Sequence, residues 1–295
     1  MKNFKPITIM KNHTSIGYKN DPMVSMMDQG LITKVGKGIF VISGVLVDIV
    51  NKVDNIIRDL ADTYHANYLM VPSNLSWDNA ILSDYLSSFE NQAIGLKSFL
   101  HSSKDEYDGL ASPTVCYHCF SALKNQTIRE NSIYTASSKC TRKETGELNS
   151  LARLSNFTMR EIIFLGSDKY CKSVRMKILE DTYKILSEIL DIEFKICTAT
   201  DPFFSSDSEL KGQAQLASES KYEIQALVPF NNTYVSVASF NYHGKIFFDR
   251  FNISSDSLEL HFSGCAGWGL ERLLYIILCQ KGLDFSDSYY KRLLK

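Results

Sequence analysis

The sequence predicts an α+β fold, an antiparallel sheet flanked by helices. Three observations point there. Strand-like segments follow one another in a run instead of alternating with helices, which separates this pattern from a βαβ fold. Strongly periodic amphipathic segments stand before and after that run. No glycine-rich phosphate loop of the Walker or Rossmann kind occurs anywhere in the 295 residues.

Taken in chain order, the first clear element is a helix over residues 47–64. Ile49, Val53, Ile56, Ile57 and Leu60 recur at helical spacing, and Asp48, Lys52, Asp54, Arg58 and Asp59 fall between them. Tyr68, Leu69, Met70 and Val71 then read as a short strand whose end is set by Pro72. A second helix is predicted over 174–190 from Val174, Ile178, Leu179, Ile185, Leu186 and Ile189, followed by a strand over 194–198. Residues 222–230, 234–240 and 245–251 are each strand-like and together predict an antiparallel meander. The last helix, over 269–281, carries Leu270, Leu273, Leu274, Ile277 and Leu278, and Gly282 supplies its C-cap signal.

Composition narrows the class further. Hydrophobic residues make up 44% and charged residues 22%, which suits a globular chain able to bury a core without staples. The formal net charge is -1, so no broad basic footprint for nucleic acid is expected, although a local patch stays open. The seven cysteines are odd in number and irregular in spacing. Residues 1–31 lack the unbroken apolar core of a signal peptide, and no window reaches the length of a membrane span. A cytoplasmic protein with reduced thiols is the expectation. Six prolines argue against long disordered linkers.

Two local patterns carry chemistry. The first is Cys140-Thr-Arg-Lys-Glu144, a variable loop, and Arg153-Leu-Ser-Asn-Phe157. Arg142 offers a bidentate fork for a phosphate. Glu144, two residues on, is expected on the same face of a strand, where it could accept from an exocyclic amine. Phe157 offers an aromatic face and Arg153 a further cation. Taken alone, these residues suit a surface ion pair and a core phenylalanine at least as well. The second pattern is Ser263-Gly-Cys-Ala-Gly-Trp-Gly-Leu-Glu-Arg272, glycines leading toward a helix with an arginine in its first turn. Such glycines let a ligand approach the backbone, and a helix N-terminus favours anions. Together the two patterns favour a nucleotide site.

In this order the patterns resemble the motifs of class II aminoacyl-tRNA synthetases. The unit ending at Pro72 is like motif 1, Arg142 to Phe157 like motif 2, and Gly269 to Arg272 like motif 3. A closer resemblance is to the amino acid:[carrier protein] ligases, truncated relatives of the atypical seryl-tRNA synthetases. It extends through Thr114-Val-Cys-Tyr-His118, Phe157-Thr-Met-Arg-Glu-Ile162 with Gly166, Asp201-Pro-Phe-Phe204, Lys221-Tyr-Glu223 and Ser239-Phe-Asn-Tyr-His243. The likeness implies a single class II catalytic domain over 1–295, with its core from about residue 30 and no N-terminal tRNA-binding domain.

The resemblance also implies roles. Arg142 would hold the α-phosphate of ATP, Glu144 would read the adenine amine, Phe157 and Arg272 would sandwich the adenine, and Arg153 would reach the terminal phosphates. Mg²⁺ would assist. Cys116, Glu161 and Cys265 fall where the family places three zinc ligands, leaving a fourth position for the substrate amino group. Two thiolates and a carboxylate with an open position suit catalytic zinc. Cys116-Tyr-His-Cys119 has CxxC spacing but no second CxxC follows, so His118 and Cys119 are expected to be structural, although either could replace one ligand. Three positions depart from the family pattern, Thr141, Lys143 and Trp268, and bear on the shape of the pocket.

The activity so implied is ATP-dependent activation of an amino acid as its adenylate. Transfer to the phosphopantetheine thiol of a carrier protein would follow, by a homodimer that uses neither tRNA nor a membrane. Loading of tRNA or of a small acceptor is the alternative within enzymes. A catalytically inactive paralogue is the alternative outside them, and the intact Arg142, Glu144, Phe157 and Arg272 count against it.

Overall fold

The computed structural model describes residues 5–98, 107–201, 207–257 and 259–295. Its centre is an eight-stranded sheet. In chain order the strands are β1 (Thr8–Asn12), β2 (Asn67–Tyr68), β3 (Ser132–Thr141), β4 (Asn156–Gly166), β5 (Phe194–Thr198), β6 (Lys221–Val228), β7 (Thr233–Gly244) and β8 (Phe262–Gly269). They lie in the spatial order β1-β5-β6-β7-β8-β4-β3-β2. Every pairing is antiparallel except β2 with β3. The α+β prediction holds.

Side chains alternate across this sheet and so divide it into two faces. One face carries Ile162, Phe164, Ala238, Phe240, Ala266 and Trp268 into the main hydrophobic core. Helices α1 (Val45–Thr63), α3 (Asp168–Lys184) and α6 (Leu270–Lys281) cover it. α1 is strongly amphipathic, burying Leu46, Ile49, Val53, Ile57 and Leu60. It is tied to the sheet where both oxygens of Asp54 accept from Arg160 on β4, each at 2.7 Å. α6 is buried almost all round, as a helix trapped between α1 and the sheet must be, and Gly282 ends it at φ 80.

The opposite face lines the floor of a cavity. Its pleat aligns a row of small and polar residues: Glu223 on β6 faces Ser239 on β7, which faces Gly267 on β8, which faces Glu161 on β4. Over part of this face sit two short helices, α2 (Cys116–Ala122) and α5 (Ile246–Arg250). They share a second core with the segment 75–89.

Four predictions of element needed correction. Residues 245–251 form the helix α5 and not a strand, because Gly244 turns the chain at φ 61 and Phe247, Phe248 and Phe251 then reach the core at helical spacing. The third strand of the meander is β8. The helix predicted from Val174 begins at Asp168, capped by Ser167, whose hydroxyl accepts from the Tyr170 N–H at 3.2 Å. Its last turn, Ile185–Ile189, is a π-turn. The strand before Pro72 pairs only at Asn67 and Tyr68, with one further bond from Leu69 N–H to Thr135 O at 2.9 Å. The glycines of the Ser263–Gly269 stretch lie in a strand and not in a turn.

Candidate active site

The cavity on this second sheet face has a volume of ≈ 370 Å³. Its wall includes six of the eight residues the sequence singled out: Arg142, Phe157, Arg272, Cys116, Glu161 and Cys265. These come from α2, β4, β8, α6 and the loop after β3, spread over more than 150 positions of sequence, and the sheet register brings them together.

At one end lie the two arginines. Arg142 follows β3, and its Nε donates to Pro113 O at 2.8 Å while its guanidinium stands 5.3 Å from the centre of the Phe157 ring. Arg272, in the first turn of α6, donates from Nε to Ala152 O at 2.7 Å and from Nη1 to Ser236 O at 3.0 Å. Burial lowers the Arg272 pKa from its ordinary value, and the charge of Arg142 adds to the effect. Neither guanidinium forms an ion pair with a carboxylate among the described residues. Two neighbouring cations anchored by carbonyls, in a cavity with an aromatic wall, have the chemistry to hold a phosphorylated, flat ligand.

Glu144 and Arg153 do not join them. The strand β3 ends at Thr141, so Arg142 and Glu144 do not share a strand face. Glu144 pairs with Arg153 at 3.6 Å, Arg153 also donates to Thr145 O at 3.1 Å, and neither residue belongs to the cavity wall. The departures Thr141, Lys143 and Trp268 do not line it either. Trp268 points to the helix side, edge-on to Phe240 with ring centres 6.0 Å apart, so its bulk fills core.

At the other end, ligand atoms of Cys116, Glu161 and Cys265 all lie within 4.8 Å of one another, and all three residues are buried. Cys116 opens α2, Glu161 comes from β4, and Cys265 from β8 beside Asn241 of β7. Gly267 keeps the floor between them open: a Cβ there would stand 3.3 Å from Glu161 Cγ and 3.0 Å from Met159 Cε. The Glu161 carboxylate accepts from Thr114 Oγ1 at 2.5 Å, Val115 N–H at 2.9 Å and Cys116 N–H at 3.1 Å, which fixes its orientation.

Electrostatics make this cluster unusual. Burial, reinforced by Cys265, pushes Glu161 up to about 7. The closeness of Cys116 lowers the pKa of Cys265 from the ordinary thiol value, while the same neighbour and burial raise that of Cys116. Three acidic groups crowded in a dry site suit a cation. A tetrahedral zinc with bonds of about 2.0–2.3 Å separates its ligand atoms by roughly 3.5–3.8 Å, a spacing that the cluster accommodates. His118 donates to or accepts from Ser112 Oγ at 2.8 Å and, like Cys119, stands outside this group.

Three further features of the wall carried no role in the sequence. Lys221 is buried between Asp201 and Glu223, the latter at 3.6 Å, and Asp201 also accepts from Gln215 Nε2 at 2.8 Å. The signal was there in the alternation of Lys221, Glu223 and Gln225 with Tyr222, Ile224 and Ala226, which puts polar groups on one face of β6. Positions 202–204 of the Asp201-Pro-Phe-Phe204 stretch lie outside the described residues. Glu271, beside Arg272, is buried and accepts from Lys139 Nζ at 2.9 Å and from both the N–H and hydroxyl of Thr158 at 2.7 Å. Asn241 and His243 flank Cys265.

Comparison with known proteins agrees with this geometry. Residues 99–281 match the tRNA synthetase class II core domain (G, H, P, S and T), and the chain belongs to that family. The Type-2 serine–tRNA ligase of Methanopyrus kandleri is 28% identical over 184 residues, 59% of this chain and 35% of that protein. The chain spans about a third of the length of the first serine–tRNA ligases it matches. The Amino acid–[acyl-carrier-protein] ligase 1 of Bradyrhizobium diazoefficiens is 24% identical over 290 residues, 90% of this chain and 87% of that protein. Among solved structures, M. kandleri SerRS in complex with A. aeolicus tRNASec superposes with a TM-score of 0.82 at 18% identity, over 97% of this chain and 62% of that one. The cytoplasmic serine–tRNA ligase of Naegleria fowleri in complex with AMP gives 0.77 at 14% identity, over 95% and 61%. The shared architecture is that of class II synthetases. No helix among the described residues is long and apolar enough to cross a membrane.

Proposed function

We propose that this chain is a ligase that activates an amino acid with ATP and passes the acyl group to the phosphopantetheine thiol of a carrier protein. The observation that carries the activation step is one cavity with Arg142 and Arg272, neither in an ion pair among the described residues, at one end and Cys116, Glu161 and Cys265 at the other. ATP would lie against Phe157, its α-phosphate on Arg142, with Arg272 over the base and Mg²⁺ on the phosphates. Glu144 and Arg153 would have to leave their mutual pair to reach the adenine amine and the terminal phosphates. Zinc held by Cys116, Glu161 and Cys265 would bind the unprotonated amino group of the substrate and so fix its carboxylate.

The reaction then asks mainly for placement and charge neutralisation. A carboxylate oxygen attacks the α-phosphorus, the bond to pyrophosphate breaks, and the aminoacyl-adenylate forms. Arg142 would stabilise the charge that gathers on the α-phosphoryl oxygens. In the second half the thiol sulfur attacks the acyl carbonyl, AMP leaves, and a thioester remains.

The carrier-protein acceptor rests on a coarser argument. The Bradyrhizobium ligase is matched over nearly its whole length, whereas the serine–tRNA ligases are matched over a third of theirs. The near-neutral net charge supports the same reading, since tracking a phosphate backbone requires clustered Lys and Arg. A tRNA acceptor is favoured instead by the names of most of the similar proteins. Labelled amino acid offered with ATP to a mixture of holo carrier protein and tRNA decides between them. Label on the carrier as a thioester is expected, and label on tRNA alone reverses the assignment.

A further inference from the structure

His243 lies at the end of β7, facing the cavity, and has no part in the adenylation scheme above. Its Nε2 is 3.5 Å from Cys265 Sγ and its Nδ1 is 3.3 Å from Ser263 Oγ. The ring is clamped in its plane by aromatic neighbours, edge-on to Phe247 at 4.8 Å and to Phe120 at 5.8 Å. It contacts one sulfur of the acidic cluster. Yet it does not join Cys116, Glu161 and Cys265 inside the 4.8 Å spread of their ligand atoms. A histidine so placed is outside the coordination shell and beside it.

We infer that His243 is a positioning residue for Cys265, holding the sulfur by an Nε2–H hydrogen bond while the Ser263 hydroxyl fixes the ring from the other side. The inference rests on the zinc reading of the Cys116, Glu161 and Cys265 cluster. The donor directions are mutually consistent. A metal-bound sulfur can only accept, so Nε2 carries the ring proton, and Nδ1 is left to accept from the Ser263 hydroxyl. Ser263 is fully buried, so its hydroxyl has few other directions to turn. Asn241 Nδ2 donates to the same sulfur at 3.5 Å, giving Cys265 two donors from one strand. Cys265 needs this support more than its partner does. Cys116 is held on the first turn of α2, and Glu161 by three hydrogen bonds, whereas Cys265 projects from a strand flanked by Gly264 and Ala266. Outer partners of this kind set the orientation of a metal ligand, and their loss typically weakens metal binding by about 10- to 100-fold.

The test is the zinc affinity of the full metal-free chain, read by competition with a chromophoric chelator, together with its thermal midpoint without metal. His243→Ala is expected to lose about 10- to 100-fold in affinity while the metal-free midpoint stays near that of the unaltered chain. His243→Gln, whose amide can donate to the sulfur, is expected to recover part of the loss. Ser263→Ala should show a smaller loss, because the ring keeps its aromatic clamp. Zinc held equally tightly by the unaltered chain and by the His243→Ala and His243→Gln variants overturns the inference and leaves the metal site standing. An unaltered chain that takes up no zinc overturns the metal site and this inference with it.

Discussion

At the scale of single residues, the cavity separates groups that bind charge from groups that hold them in place. Arg272 is half-buried, anchored by two carbonyls and in no ion pair among the described residues, so its guanidinium would meet a nucleotide at no cost in broken ion pairs. Replacing it with Ala is expected to lower amino-acid-dependent ATP–pyrophosphate exchange by about 100- to 1000-fold in a chain that still folds. Full exchange from the folded variant would remove Arg272 from the site. Cys265→Ser should lose both bound zinc, measured by elemental analysis, and exchange activity; a variant keeping about one zinc per chain with full activity would disprove the ligand set. Arg142, Phe157 and Arg272 were suggested only by two patterns read together, since each residue alone suited a surface ion pair or a core ring at least as well; the structure places all three in the wall of one cavity. The cysteines had no such pattern. Cys116 and Cys265 are 149 positions apart, and only the pairing of β4 with β8 and the packing of α2 over them makes them neighbours; the family likeness supplied what spacing could not. The shared strand face expected of Arg142 and Glu144 did not hold, because it depends on where β3 stops, and nothing local marks that end at Thr141.

At the scale of elements, two polar ties hold the site's scaffold. The fork from Arg160 to Asp54 joins α1 to β4, the strand that carries Glu161. Breaking it with Asp54→Ala leaves a buried guanidinium short of its partner and is expected to cost about 3 kcal/mol, seen as a lower denaturant midpoint. A change within about 0.5 kcal/mol would show that water or Thr135 replaces the carboxylate. The second tie joins β6 to the segment before α4 (Ser208–Ala217). Burial raises the Asp201 pKa, but Lys221 and the Gln215 amide outweigh it and hold the carboxyl below its ordinary value. A depressed carboxyl stabilises the fold above its unfolded value of about 4 and loses that contribution as pH falls through its folded value. The thermal midpoint should therefore drop as pH is lowered below about 4, and Asp201→Asn should flatten that drop. An identical profile in both would mean the pair adds nothing. Elements with one unbroken periodicity, such as α1, β5, β6 and α6, were legible in sequence. The polar first turn of α3 and the phenylalanine-rich stretch of α5 with Phe251 after it were not, since the first resembles a loop and the second a strand.

At the scale of the whole molecule, the fold places two cavity-lining arginines and an acidic cluster on one sheet face and gives the other face to three helices. The resemblance of α1 and the segment to Pro72 to motif 1 implies a two-fold interface there, and α1 with the paired strands Ile32–Gly36 and Ile39–Ile42 leaves Val35, Ile39, Val41 and Val47 exposed. A homodimer is therefore expected, with a mass near twice 33.4 kDa by light scattering at micromolar concentration. A mass of one chain would contradict it. The fold class was legible because consecutive strands leave few ways to build a sheet. The eight-strand order was not, because β1 and β2 join the edges through contacts distant in sequence. The central claim is that this cavity joins an amino acid to ATP. Its most direct test is ATP–pyrophosphate exchange by the zinc-loaded chain, measured with each common amino acid in turn. Exchange that depends on one or a few amino acids is predicted; a folded, zinc-loaded chain that exchanges with none of them contradicts the account.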